Sequence, residues 1–259
     1  MKINSLFFTK SAYVLRVGWI AFISRSIWWL ENNFFYPKLK NALLDLNLLT
    51  LNSNPKINPI IFDVGANIGQ SIEFYRSVYP DSLIHSFEPL TNAFQICAEK
   101  SNDRTFCYNL GLSDYTGTAV FYESILQEMS SLVLPVSHSR YSMVKAAILG
   151  VSASEMYKKI EILVDTLDEV ILKLSINQIM LLKIDTEGSE YEVLQGAERS
   201  LSKRVFLCIQ IEVHLDEQRP DNSQVIEKYL QGFGYTKVKS IKHSFGNFFE
   251  YLYMNESAK

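Results

Sequence analysis

Cysteine is scarce in this chain. Three occur in 259 residues, Cys97, Cys107 and Cys208, each isolated in an apolar run and none in a C-x-x-C pair. An odd count without framework spacing excludes a disulfide scaffold and suits buried thiols in a reducing cytoplasm. The four histidines, His85, His138, His214 and His243, are scattered, with no H-x-x-x-H pair or Cys/His cluster for structural zinc. Net charge is −3, so no overall basic field argues for a nucleic-acid partner. No internal repeat and no low-complexity tract is present. The G-x-G-x-x-G fingerprint that cradles a dinucleotide pyrophosphate is missing as well.

Acid is absent from one stretch. Up to Leu30 there are four basic residues (Lys2, Lys10, Arg16, Arg25) and neither Asp nor Glu. All three tryptophans, Trp19, Trp28 and Trp29, fall here, and Phe8, Ala12, Leu15, Trp19, Phe22 and Ile23 recur at helical spacing. Arg16 and Arg25 interrupt the run, so it falls short of the roughly 20 apolar residues that span a bilayer. It also lacks the apolar core and small-residue cleavage site of a secretory signal. Two readings stay open: an aromatic face packed on the rest of the protein or on a second subunit, and a basic helix lying in a membrane interface. A helix over Leu39–Leu51 follows, and the polar break Asn52-Ser53-Asn54-Pro55 marks a boundary. The expected organisation is an N-terminal helical extension, 1–55, and one α/β domain, 56–259.

What is abundant is apolar strand sequence. Ile60-Ile61-Phe62-Asp63-Val64-Gly65-Ala66-Asn67-Ile68-Gly69 reads as a doubly buried strand followed by a glycine-bracketed loop, with a helix from Ser71. Asp63, at the carboxyl end of that strand, would be a poor host for pyrophosphate and suits a ligand with a cationic amine. A second run, Ser82–Phe87, ends in Glu88-Pro89, 19 residues beyond Gly69. That is where an α/β nucleotide site places a carboxylate on ribose hydroxyls. S-adenosylmethionine, which has ribose, ammonium and sulfonium but no phosphate, fits both acids.

The rhythm continues as βαβ units. Helices are expected over Ser71–Tyr79, Thr91–Ser101, Thr166–Leu174 (capped by Thr166 or Asp165), Tyr191–Leu201 and Asn222–Gln231. Strands are expected over Thr105–Leu110, Thr118–Tyr122, Ile160–Val164, Ile179–Ile184 and Val205–Val213. Tyr235–Ile241 and Phe248–Met254 follow, the last two joined as an antiparallel hairpin at Phe245-Gly246-Asn247. Residues 123–160 break the pattern, with helical stretches at Lys145–Leu149 and Ser154–Lys159. They read as an acceptor-binding cap or as an elaborate surface loop.

Acids gather at the carboxyl ends of the strands: Asp63, Glu88, Asp185 with Glu187, and Glu212 followed by His214. One such acid is commonly a helix cap, but several brought to one crevice by topology indicate a site for cationic or hydroxyl-rich ligands.

Five segments together resemble the FkbM family of S-adenosylmethionine-dependent methyltransferases. They are Phe62-Asp63-Val64-Gly65-Ala66-Asn67-Ile68-Gly69, Phe87-Glu88-Pro89, Leu112-Ser113-Asp114, Val164-Asp165-Thr166-Leu167-Asp168, and Leu182–Glu190 with Val193-Leu194-Gln195-Gly196-Ala197. The resemblance runs from about Ile60 to His214 and leaves the N-terminal segment and residues 123–160 outside it. It implies an α/β class I methyltransferase fold, a Rossmann-like doubly wound sheet of seven strands, mostly parallel with an antiparallel last strand. It implies S-adenosyl-L-methionine as cofactor, with Asp63, Gly65, Asn67 and Gly69 near its methionine end, Glu88 on its ribose, and Asn109, Ser113 and Asp114 near its adenine. It also implies O-methylation of a small-molecule or glycan acceptor.

Methyl transfer to a hydroxyl asks for alignment and for a base as the bond forms. Asp185, Glu187, Glu212 and His214 are the catalytic candidates, the first two ahead of His214. Hard oxygen ligands of this kind also suit Mg²⁺, but the pattern assigns no metal. The alternatives are a nicotinamide-dependent oxidoreductase, weakened by the missing pyrophosphate fingerprint, and a non-catalytic membrane-associated module, weakened by the intact set of acids and glycines.

Overall fold

The computed structural model describes residues 26, 29–51, 58–124, 130, 132, 157–215, 222–244 and 246–256. The central sheet is built from β1 (Ile60–Val64), β2 (Leu83–Phe87), β3 (Thr105–Tyr108), β7 (Ile179–Ile184), β8 (Phe206–His214), β9 (Tyr235–Lys242) and β10 (Phe248–Asn255). Their spatial order is β3-β2-β1-β7-β8-β10-β9. β10 runs antiparallel between β8 and β9, and the other neighbours pair in parallel. This is the expected class I sheet with its antiparallel last strand. β1 and β7 lie at the middle, and every residue of β7 is buried, as a strand covered on both faces requires.

Helices cover both faces. On one side α1 (Tyr36–Asp45), α2 (Leu48–Leu51) and α3 (Gln70–Val78) pack Leu39, Leu43, Leu48, Ile72 and Tyr75 against Ile61, Leu181 and Leu252. On the other, α5 (Leu167–Lys173), α6 (Glu190–Gln195), α7 (Glu198–Ser202) and α8 (Ser223–Gly232) pack Ile171, Leu194, Leu201 and Leu230 against Phe62, Leu182 and Ile209. A further helix, α4 (Thr91–Ala98), precedes β3. Residues 29–51 therefore share a core with the sheet, and the polar break at 52–55 does not divide the packing. Phe35 packs into that core, whereas Trp29 and Phe34 stay exposed. The basic helix expected upstream, with Trp19 and Trp28, lies outside the described residues. Among the described residues no helix is long and apolar enough to cross a membrane.

Two expected helices are divided. Leu39–Leu51 breaks at Asn47, whose φ of +50° ends α1 before α2 begins. Tyr191–Leu201 breaks at Gly196-Ala197. A side chain at Gly196 would meet the Ser113 carbonyl oxygen at 2.0 Å. The carboxylate of Asp168 then takes up the start of α7, accepting the N–H groups of Arg199 and Ser200, each at 2.9 Å. Thr166 caps α5 as expected, its Oγ1 accepting the Glu169 N–H at 3.2 Å.

A second, three-stranded sheet joins β4 (Gly111–Leu112), β6 (Tyr157–Asp165) and β5 (Gly117–Ser124), in that order. β5 and β6 are antiparallel with Ser124 opposite Tyr157, so the segment between them leaves and returns at one place. The helix expected over Ser154–Lys159 is corrected for 157–159, which are strand: Ile160, Ile162 and Val164 turn inward while Lys159, Glu161 and Leu163 turn outward. Lys145–Leu149 lies outside the described residues. The thiols are less isolated than their sequence positions indicate, with Cys97 Sγ and Cys107 Sγ 3.2 Å apart, both free.

Candidate active site

The carboxyl ends of β1, β2, β7 and β8 open on a cavity of about 840 Å³, within the range of small-molecule sites. A polar row crosses the sheet beneath it. Ser86 pairs with Asp63, Asp63 with Lys183, and Lys183 with Gln210, on four successive strands. Equal register turns all four side chains to one face. Lys183 Nζ sits 3.5 Å from Asp63 Oδ1 and 3.1 Å from Asp185 Oδ2. Burial disfavours its charge, but Asp185 and Asp63 outweigh this and raise its pKa well above the ordinary value. The Tyr75 hydroxyl, from α3, closes the row by donating to Gln210 Oε1 at 2.9 Å.

Asp63 itself lies behind the cavity wall. It is fully buried and accepts from Ser71 Oγ at 2.5 Å and Ser86 Oγ at 3.3 Å. Its nearest cation is Lys183, so it acts on the site through that lysine rather than by lining it. Gly65 does line the cavity, at φ +81°, and a side chain there would meet the Asp185 carbonyl oxygen at 1.8 Å. Its glycine character serves the close passage of two strand-end loops. Gly69, also at φ +81°, faces away toward Ile72, Lys100 and Cys97. Asn67 lines the cavity and donates its N–H to Glu88 Oε2 at 2.8 Å, while the Leu90 N–H donates to Glu88 Oε1 at 2.8 Å. Glu88 is thus fixed at the wall. Burial pushes its carboxyl up to about 7 against those two amides.

The loop after β7 carries the second group of acids. Glu190 Oε1 accepts the N–H groups of Thr186 at 3.1 Å and Gly188 at 2.9 Å, which holds Glu187 at φ +61° beside Asp185 on the cavity. Burial opposes a charge on Asp185, but Lys183 and a hydrogen bond with Glu212 bring its pKa below the ordinary range. Glu212 moves oppositely, its pKa raised by burial and by the Asp185 charge. His214 Nε2 lies 3.3 Å from Glu212 Oε2 and 3.6 Å from Glu187 Oε2, in a small recess behind the main cavity.

Besides Asp63, Gly69 and His214, three more expected residues are not among those lining this cavity. Asn109 spends its amide on the carbonyls of Glu88 and Pro89, at 3.0 and 2.9 Å. Ser113 is buried against Asp114, and Asp114 borders a separate surface cleft. Their neighbours Leu110, Gly111 and Leu112 form the wall instead.

The sequence reading missed a whole side of the cavity. Glu31, Phe35, Tyr36 and Lys40 come from the N-terminal segment, His243 follows β9, and Glu250 sits on β10 directly opposite Glu212. Ser130 and Leu132, from the insertion, also reach it. A signal existed for some of these: Lys183, Gln210 and Glu250 each interrupt a strand that is otherwise apolar around them. Of the ionisable residues on the wall, seven are acids (Glu31, Glu73, Glu88, Asp185, Glu187, Glu212, Glu250), two are lysines (Lys40, Lys183) and one is a histidine, His243, ion-paired with Glu31, Glu212 and Glu250.

The chain matches the family described as Methyltransferase FkbM domain over residues 63–237. It is 30% identical to the 31-O-demethyl-FK506 methyltransferase FkbM of Streptomyces tacrolimicus, over 69% of this chain and 73% of that one. It is 28% identical to methyltransferase sdnD of Sordaria araneosa, over 56% and 63% of the two chains. It is 25% identical to the 2-O-methyltransferase NoeI of Sinorhizobium fredii, over 59% and 63%. The chain thus spans less than two thirds of these last two relatives.

Proposed function

This chain belongs to the FkbM methyltransferase family, and we propose that it transfers a methyl group from S-adenosyl-L-methionine to a hydroxyl of a hydroxyl-rich acceptor, a sugar, glycan or related natural product. The observation that carries the reading is the charge of the cavity. Seven acids against two lysines and His243, with one lysine already held by Asp63 and Asp185 and the histidine by Glu31, Glu212 and Glu250, disfavour a pyrophosphate and favour a cationic ligand. This also weighs against the nicotinamide alternative. The names of two relatives, a 31-O- and a 2-O-methyltransferase, support oxygen as the acceptor atom.

The residues present fit the cofactor. Glu88, anchored by two backbone amides, would accept the ribose hydroxyls, and Gly65, Ala66 and Asn67 leave the loop open above it. When bound, the sulfonium supplies a methyl group open to in-line displacement. Asp185, kept ionised by Lys183, would accept the hydrogen bond of the acceptor hydroxyl and aim its lone pair. Glu187 offers a second acceptor beside it. Glu212, whose pKa burial and the Asp185 charge raise, stands behind both as a base. Acceptor contacts would come from Tyr36, Phe35, Ser130 and Leu132, on the side opposite the family motifs.

Calorimetric titration with S-adenosylmethionine and S-adenosylhomocysteine tests this, with Glu88→Ala as control. Micromolar binding that the substitution abolishes is the expected result. Binding of NADH with none of either sulfur ligand would overturn it.

A further inference from the structure

We propose that Glu212, His243 and Glu250 bind a divalent transition-metal cation at the acceptor end of the cavity. The inference rests on the methyltransferase reading for its role but not for its geometry. β8 and β10 place Glu212 and Glu250 at one register position, and the turn after β9 brings His243 over both. His243 Nε2 lies 3.4 Å from Glu212 Oε1 and 3.7 Å from Glu250 Oε1. Ligand atoms each about 2.1 Å from one ion stand roughly 3.0–3.4 Å apart, so small side-chain shifts close the set.

Two further observations point to a ligand. Glu250 is 4% exposed, yet its Oε2 has no hydrogen-bond partner, and His243 Nε2 meets only the two carboxylates, at ion-pair distance. Buried groups of this kind are costly unless something satisfies them. The other face of the imidazole is also prepared. His243 Nδ1 is 3.4 Å from Glu31 Oε2, and Phe35 stacks on the ring at 3.7 Å. A carboxylate behind a histidine, fixing its ring and freeing the far nitrogen, is the usual support of a metal-bound imidazole. Glu31 is anchored in turn by the Ser244 N–H at 3.1 Å.

One imidazole and two carboxylates suit Mn²⁺, Fe²⁺, Co²⁺ or Zn²⁺ better than Mg²⁺. At this position a cation would draw the acceptor oxygen to the cavity wall and lower the basicity demanded of Asp185. Glu187, Glu212 and His214 form a second cluster of donors, but it is less buried.

Full-length protein titrated with Mn²⁺, followed by the paramagnetic resonance of the free ion, tests the proposal. One ion per chain is expected, at micromolar affinity and without cofactor. Glu250→Gln and His243→Ala should each weaken binding at least tenfold with unchanged circular dichroism, and Glu31→Gln should weaken it about tenfold. No bound ion at millimolar Mn²⁺, or wild-type affinity in Glu250→Gln, would overturn it. Calorimetry with S-adenosylmethionine on the same samples reads the cofactor separately, so loss of one reading leaves the other standing.

Discussion

Asp63 and Lys183 face each other across β1 and β7, both buried, with Lys183 Nζ 3.5 Å from the Asp63 carboxylate. Lys183 reaches Asp185 as well, so one cation answers two buried acids. Lys183→Met removes the cation and leaves both. Breaking a buried pair from one side costs about 3–5 kcal/mol. Urea unfolding should show a loss of that size. A loss below about 1 kcal/mol would mean that the acids are neutral without it.

Gly65→Ala should be poorly tolerated. The added carbon meets the Asp185 carbonyl oxygen at 1.8 Å, and φ +81° disfavours any side chain. We expect a destabilisation of about 1–3 kcal/mol and at least a tenfold loss of cofactor affinity, read by thermal unfolding and calorimetry. Gly232→Ala, where nothing lies within 4 Å of the new carbon, is the matched control and should leave affinity unchanged.

Cofactor affinity should depend on pH through Glu88, whose carboxyl burial raises from 4.5 to about 7. The folded, free protein holds this proton more tightly than the unfolded chain does. On its own, the group therefore makes the free protein less stable as pH rises from about 4.5 toward 7. Binding runs the other way, because ribose hydroxyls donate to the carboxylate. Affinity should be full above pH 7 and fall toward tenfold per unit below it. Glu88→Gln should flatten that profile. An unchanged slope in the variant would remove Glu88 from the ribose site.

Removal of residues 1–51 should cost more than an appended extension would. Leu43 is completely buried, and its carbonyl accepts the Tyr79 hydroxyl at 3.2 Å. Leu43→Ala alone should lower stability by about 2–5 kcal/mol. The truncated protein should expose Ile61, Ile72 and Tyr75 and aggregate. A soluble truncation with native cofactor affinity would show that this packing is dispensable.

Asp185→Asn should keep cofactor binding within a few-fold and lower turnover by about 10²–10⁴, as loss of an aligned base does. Equal loss of both would assign Asp185 to binding instead.

Legibility in the sequence followed the range of the interactions. β1, its loop and Glu88 were readable because strand, turn and acid follow one another within 30 residues, each with its own residue chemistry. The parallel pairing of the central strands was readable from the alternation of strands and helices; their spatial order was not. The divided helices were not, since Gly196 yields to a carbonyl of Ser113, far away in sequence. Asn109, Ser113 and Asp114 were misplaced for a related reason: only their neighbours turn toward the cavity. The wall made by Glu31, His243 and Glu250 was invisible, because nothing local in those segments says that they meet. Two motif acids changed meaning on folding. Asp168 caps α7 and Glu190 closes the β7 loop, so both serve architecture.

The contact between Glu31 and Ser244 joins residues 213 positions apart. Between them the chain lays down six of the seven central strands, and β10, which follows Ser244, must enter between β8 and β9 before His243 and Glu250 are in place. On the ribosome, the glycine loop and Glu88 emerge early, while the opposite wall waits for nearly all of the remaining synthesis. A nascent chain halted before β10 would therefore carry a half-built pocket with an unpaired edge at β8. Such a chain invites association with other unfinished copies, and full elongation is what closes that edge.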